Sequence, residues 1–190
     1  RADKERKAYA EIQASNRARN QDLHEWNKYK TVLPNDAPKT FSAFRSMKRH
    51  NSVNYQRLKW DSKFVNKYGV SEEKPPLPNY ENVSNIQKKL TGYLLNTEHE
   101  IGKHKAIVFQ SALGYNVNNK DVLETKIRDG LEVFSANYKG ENEYGKKYIV
   151  KMLIDGENGN RQPVLTSWMF RNGEDKAKMV TAYVENNKRP

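Results

Sequence analysis

The sequence predicts an α+β fold: an N-terminal helical appendage, then a domain whose helices pack on one face of a small antiparallel sheet. Three observations carry this expectation. Apolar residues recur at helical spacing up to Phe134, and strand-like runs begin only after YKGENEYG (138–145). Helices first and strands last is the order of an α+β architecture, not of alternating βαβ units. Composition also changes at KPPLP (74–78), where three prolines remove backbone donors and hold the chain extended.

The elements follow in order. Residues 3–30 contain no Gly or Pro and read as one long helix, with Ile12, Leu23, Trp26 and Tyr29 as sparse apolar positions. That stripe is too thin to build a core alone. Pro34 and Pro38 break the pattern, and Thr40 caps a second helix on which Phe41, Phe44 and Met47 share a face. A third helix, Asn54 to Tyr68, carries Tyr55, Leu58, Phe64 and Val65 and ends at Gly69. The expected organisation is therefore a basic helical segment (1–74), a proline-rich linker (75–82) and an α+β domain (83–190).

Within that domain Ile86 to Leu95 reads as a short amphipathic helix, and Lys105 to Leu113 as another closed by Gly114. Asn118 or Asn119 can cap a third, with Val122, Leu123, Ile127, Leu131 and Phe134 at helical spacing. Tyr148 to Asp155, Val164 to Phe170 and Met179 to Val184 read as three strands, the first two joined by the turn GENGN. Alternation places Val164, Thr166, Trp168 and Phe170 on one face of their strand, and Leu165, Ser167, Met169 and Arg171 on the other. Both faces are half apolar, so the pattern leaves open which one meets the helices.

Charge narrows the partners. The 190 residues hold 34 Lys+Arg against 23 Asp+Glu, a net charge of +11, and the mean hydropathy is −1.02. Such a surface favours polyanions, nucleic acid first. Residues 1–74 carry 17 Lys+Arg and 9 Asp+Glu, whereas residues 75–190 carry 17 and 14, so the appendage is the more basic part. The apolar runs are far too short for a membrane span, and a soluble protein is expected. The absence of cysteine excludes a disulfide scaffold but fixes no compartment.

The densest chemistry lies in EHEIGKHKA (98–106). A zinc-protease HExxH places two histidines four apart on one helical face. His99 and His104 are five apart, about 140° off a common face, with Gly102 between them, so no metal site and no cofactor is expected. Proton transfer suits the segment better. Metal-independent cleavage of RNA needs a base for the 2′-hydroxyl, an acid for the leaving 5′-oxygen and cations or hydroxyls around the phosphate. His104 is the leading acid or base, with His99 second. Lys103 and Lys105 are phosphate contacts, and Arg128 is a further nucleic-acid contact. Arg171, Thr181 and Tyr183 are candidates for transition-state contacts. The plain alternative is a solvated loop preceding a helix.

Two resemblances bear on this. YK..L...APKTF..F, through Tyr29, Lys30, Leu33, Ala37, Pro38, Lys39, Thr40, Phe41 and Phe44, resembles a segment of phage minor head (Mu F-like) proteins. YLLNTEHEIGKHKAIVFQSALGY, with Trp168 and the Thr181-Ala182-Tyr183 run, resembles a C-terminal domain of bacterial and phage polymorphic toxins. By architecture that domain is similar to the barnase, EndoU, colicin D and RelE ribonucleases. The resemblance implies a toxin acting on RNA in the cytoplasm of a target bacterium or carried in a phage particle. It also implies a cognate immunity protein, acidic to complement this surface, and contacts to capsid components through the N-terminal helices.

Two rivals stand beside this reading. Glu124-Thr-Lys126 spells the E-x-K of metal-dependent nucleases, yet falls in an amphipathic helix where Glu and Lys are ordinary surface residues. A non-enzymatic phage structural or DNA-packaging protein would use the basic helices for binding alone.

Overall fold

The computed structural model describes residues 1–185 and 189–190. These divide into two compact units, Arg1–Asn66 with Pro190, and Lys67–Arg189.

The first unit is helical. Helix α1 (Ala2–Val32) is followed by α2 (Phe41–His50) and α3 (Ser52–Tyr68). Thr40 caps α2 as expected, its Oγ1 accepting from Ala43 N at 3.1 Å. The core comes from the C-terminal third of α1: Tyr29 and Leu33 pack with Phe44, Tyr55 and Leu58, and Trp26, Phe41 and Met47 lie against them. The rest of α1 follows its sequence, with residues 1–12 exposed throughout. A polar network closes the bundle where Arg45 and Lys48 of α2 meet Asp22 at 3.0 and 2.7 Å and Lys48 reaches Glu25 at 3.0 Å. Tyr55 Oη donates to Glu25 at 2.9 Å.

The second unit contains α4 (Ile86–Lys89) running into a π-helical turn (Leu90–Leu94), α5 (Lys103–Leu113), α6 (Lys120–Val133) and four strands. These are β1 (Ala136–Asn142), β2 (Gly145–Asp155), β3 (Arg161–Arg171) and β4 (Lys178–Val184), an antiparallel meander in sequence order. The register settles which face is covered. Val150, Thr166 and Ala182 lie across from one another, as do Met152, Val164 and Val184. All six are buried where α5 packs on β3 and β4 and α6 packs on β2. Thr166 is affordable there because its hydroxyl donates to Val150 O at 2.9 Å and accepts from Trp168 Nε1 at 2.8 Å. Thr181 and Tyr183 take the other parity, on an edge strand.

Three features depart from the expected outline. The YKGENEYG run is not a break but a hairpin: β1 enters it and β2 begins at Gly145, with Asn142 Oδ1 accepting from the backbone N–H groups of Tyr144 and Gly145. β1 escapes a period-2 reading because it is an exposed edge with a bulge at Gly140. Residues 75–82 belong to the second unit, with Leu77 fully buried and Pro75 O accepting from Ala136 N at 3.0 Å. Asn119 stands at the N-terminus of α6 without capping it. Its amide instead accepts from Asn116 N and donates to Gly114 O, closing a 3₁₀ turn at Val117–Asn119.

Candidate functional site

A side chain on the covered face of this sheet is sealed off, whereas the edge strand β4 carries Thr181 and Tyr183 on the other parity. α5 runs past that edge with Ala106, Phe109 and Leu113 turned into the core. This leaves Lys105, in its first turn, half-buried at the margin. Lys105 Nζ donates to Thr181 Oγ1 at 2.8 Å and makes a longer contact of 3.4 Å to Tyr93 Oη. The ammonium also lies 5.1 Å from the ring centroid of Tyr93 and 5.9 Å from that of Tyr183. Two aromatic faces and two hydroxyls therefore hold one cation.

The positions of these groups are set locally. Tyr93 lies in the π-helical turn that widens α4, a distortion that recurs at functional sites. Behind it, Gly102 is pressed so closely that a Cβ there would stand 2.5 Å from Tyr93 O and 2.8 Å from its ring. His99 packs edge-on against Tyr93 at 4.9 Å between centroids. Its Nδ1 accepts from the backbone N–H groups of Ile101 and Gly102 at 3.1 and 2.9 Å. An Nδ1 occupied in this way carries no proton, which leaves Nε2 to bear the ring hydrogen. His99 is thus a strut for the loop and for Tyr93.

Adjoining this cluster is a basic cleft of about 440 Å³ lined by Asn85, Lys89, Tyr144, Met169, Arg171, Lys178, Met179 and Val180. Lys89 joins the two, since its Nζ lies 5.8 Å from the Tyr93 ring centroid. β4 joins them as well. Its residues 178–180 line the cleft, and a register slip between Ser167 and Trp168 then leads into Thr181. The cleft's floor is fixed by Ser84, which pairs with Lys178, and by Asn85 Nδ2 donating to Met179 O at 3.1 Å. Among the described residues none of Lys89, Lys105, Arg171 and Lys178 has a carboxylate partner. Cations left uncompensated along one edge form a receiver for an anion.

The structure thus gathers Lys105, Thr181 and Tyr183, buttresses them with His99 through Tyr93, and places Arg171 in the adjoining cleft. It does not bring in the others. Lys103 and His104 are exposed in the first turn of α5, and the His104 side chain makes no hydrogen bond or ring contact among the described residues. Adjacent helical residues point about 100° apart, which turns His104 away from the direction of Lys105. Arg128 lies on α6 and pairs with Glu124 at 3.3 Å. Glu124 also accepts from Gln87 Nε2 at 2.9 Å, which commits the E-x-K carboxylate to helix packing. Among the described residues no three His, Asp or Glu side chains are grouped to hold a metal ion, and no helix is long and apolar enough to cross a membrane.

Three participants escaped the sequence reading: Tyr93, Lys89 and Lys178. Lys89 and Tyr93 are four apart, the spacing at which a cation and a ring meet on a helix, and that signal was legible. Lys178 gave none, because only the pairing of β4 with Ser84 brings it to the cleft.

No curated protein and no solved structure matches the chain. Residues 76–186 match the family described as Domain of unknown function (DUF6883), a span that includes every member of the edge cluster and its cleft. The chain therefore belongs to the DUF6883 family.

Proposed function

We propose that residues 67–189 form a metal-independent ribonuclease, the effector domain of a phage-borne or bacterial polymorphic toxin, with its substrate phosphate received at the β4 edge. The supporting observation is the 2.8 Å contact from Lys105 Nζ to Thr181 Oγ1, with Tyr93 Oη beside it. An ammonium has three donors. With two directed at Thr181 and Tyr93, one remains for a phosphate oxygen. The two hydroxyls, each accepting from Lys105, keep their own protons for the same anion. Three donors around one point, next to Arg171, Lys178 and Lys89, suit the charge that develops on a phosphorane.

In the proposed reaction the RNA 2′-hydroxyl oxygen attacks phosphorus and the bond to the 5′-oxygen breaks, leaving a 2′,3′-cyclic phosphate. Tyr93 protonates the leaving oxygen. His104, exposed on the same helical turn, takes the 2′-hydroxyl proton, and RNA binding must bring the two together. His99 keeps Tyr93 in place. The basic edge also suits an acidic immunity protein that covers it, and the helical first unit suits attachment to capsid components.

A second reading is favoured by one observation: among the described residues the contacts of Lys105 come from Tyr93, Thr181 and Tyr183, and no histidine is seated there as a base. The same edge would then serve a phage structural or DNA-packaging protein that binds nucleic acid without cutting it.

The experiment is expression of the full chain in bacteria from a tightly repressed promoter, with growth and total RNA followed for the parent, Lys105→Met and His104→Ala. Discrete RNA fragments and growth arrest, lost in both variants with circular dichroism unchanged, support the ribonuclease. Intact RNA from the folded parent at every induction level rejects it and leaves the binding module.

A further inference from the structure

The first unit carries a basic cleft of its own, and we propose that it binds the phosphodiester backbone of nucleic acid without reading sequence. The cleft measures about 420 Å³ and lies between α1 and α2. Its α2 wall presents Ser42, Arg45, Ser46 and Arg49, positions that share one helical face, and Arg19 of α1 faces them. His50 closes one end and Phe41 contributes an edge.

The charges in this cleft are of two kinds. Arg45 is neutralised by Asp22 at 3.0 Å and serves the bundle. Arg19 and Arg49 have no carboxylate partner among the described residues, and no acidic side chain lines the cleft. Arg19 is held in place by the Phe41 ring, 5.3 Å from its centroid. Two uncompensated guanidinium forks and two serine hydroxyls can all donate to an anion, no carboxylate stands among them, and planar forks match the geometry of phosphate oxygens.

The rest of the cleft decides between nucleic acid and an acidic protein. A protein partner would be expected to insert an apolar or aromatic anchor into a desolvated pocket. Here the one apolar ring, Phe41, is already flanked by Trp26 at 5.9 Å and by the guanidinium groups of Arg19 and Arg45. That leaves no apolar ring for an anchor, and the exposed imidazole of His50 at one end is the ring still open to a base. The remaining groups offer contact with phosphate, which carries affinity and salt dependence but no sequence information. The proposal does not rest on the ribonuclease reading, because the cleft lies wholly within the first unit.

The test uses the full chain carrying Lys105→Met, so that the β4-edge receiver is impaired. Fluorescence anisotropy reports binding of a labelled single-stranded RNA and of the DNA of the same sequence. Arg19→Ala with Arg49→Ala should weaken binding about tenfold and flatten the dependence of log K on log salt by about 1.4, the loss expected for two phosphate contacts. Arg19→Lys with Arg49→Lys keeps the charge but loses the forks, and should fall between that pair and the parent. Lys4→Ala with Lys7→Ala removes the same charge from α1 about 18 Å or more along the helix, and should have little effect.

Equal affinity for RNA and DNA assigns binding to the shared phosphodiester. A preference for one strand that disappears with the two arginines supports the site and identifies its source. The proposal is overturned if the arginine pair behaves like the lysine pair. Equal competition by a polyglutamate of matching charge also overturns it, in favour of an acidic protein partner.

Discussion

Lys105 and Thr181 are 76 positions apart in the chain and 2.8 Å apart in the fold, joining the first turn of α5 to the edge strand β4. The contact is a test of the site separate from any activity. Thr181→Val keeps the shape and removes the acceptor, so the second unit should lose about 1 kcal/mol in urea unfolding. If Lys105 receives phosphate, Lys105→Met should flatten the salt dependence of RNA binding by about 0.7, the value for one single-strand contact. An unchanged slope would remove Lys105 from the interface.

Gly102 touches no proposed substrate, yet should be as sensitive as the residues that do. A methyl group there meets Tyr93 O and its ring well inside contact distance. Gly102→Ala should cost about 1–3 kcal/mol through overpacking, and should impair the site by displacing Tyr93. Urea unfolding alongside RNA binding checks this. Parental stability with parental binding would show that the loop yields without cost.

His99 should bear its ring hydrogen on Nε2, because Nδ1 accepts two backbone N–H groups. Nitrogen-15 NMR distinguishes the tautomers directly, and an Nε2 without hydrogen at neutral pH contradicts the assignment. Substitution should follow the same logic. His99→Asn offers an oxygen to the same amides and should keep the turn, whereas His99→Ala leaves them without their acceptor and should cost about 1 kcal/mol or more.

The first unit should show its own acid dependence. Burial would raise the Asp22 pKa, but hydrogen bonds from Lys48 and Arg45 outweigh burial and hold it below the ordinary 3.8. A depressed carboxylate stabilises the fold above its unfolded-state pKa, and that contribution disappears as pH falls through the lower, folded value. For Lys48, burial acts to lower the pKa, and the bonds to Asp22 and Glu25 prevail and raise it. Its contribution is therefore complete at neutral pH and fades only as pH rises past the ordinary lysine range. Asp22→Asn should destabilise the unit by about 1–2 kcal/mol at pH 7, discounted for partial exposure, and should flatten its stability profile below pH 4. Tryptophan fluorescence during urea unfolding at pH 3 and pH 7 measures both effects. A profile as steep in the variant as in the parent assigns the acid sensitivity elsewhere.

What the sequence made legible follows its strongest periodicities. Leu123, Ile127 and Leu131 identified α6, Thr40 marked the start of α2, and the alternation in β3 and β4 separated Thr166 from Ser167 and Ala182 from Thr181. β1 was illegible because ANYKGEN is an exposed edge, where nothing forces apolar residues to alternate. The site was legible in its residue types and not in its arrangement. His99, Lys105, Thr181 and Tyr183 stood out as chemistry-bearing groups. That His99 would be occupied by its own loop, and that Tyr93 would take the central place, depends on backbone amides and on a π-helical turn that side-chain patterns do not encode.

The meander places β4 last among the strands, and with it Thr181 and Tyr183. A chain emerging from the ribosome therefore presents Lys105 and Tyr93 long before Thr181 and Tyr183. Any fragment ending before β4 carries the ammonium with Tyr93 beside it but without the Thr181 hydroxyl, the Tyr183 ring or a closed core. Whatever this edge does, it is complete only once β4 has been added to the sheet. Until that last strand pairs with β3, an anion arriving at Lys105 meets neither the Thr181 hydroxyl nor the Tyr183 ring, so the edge is assembled by the final pairing of the sheet.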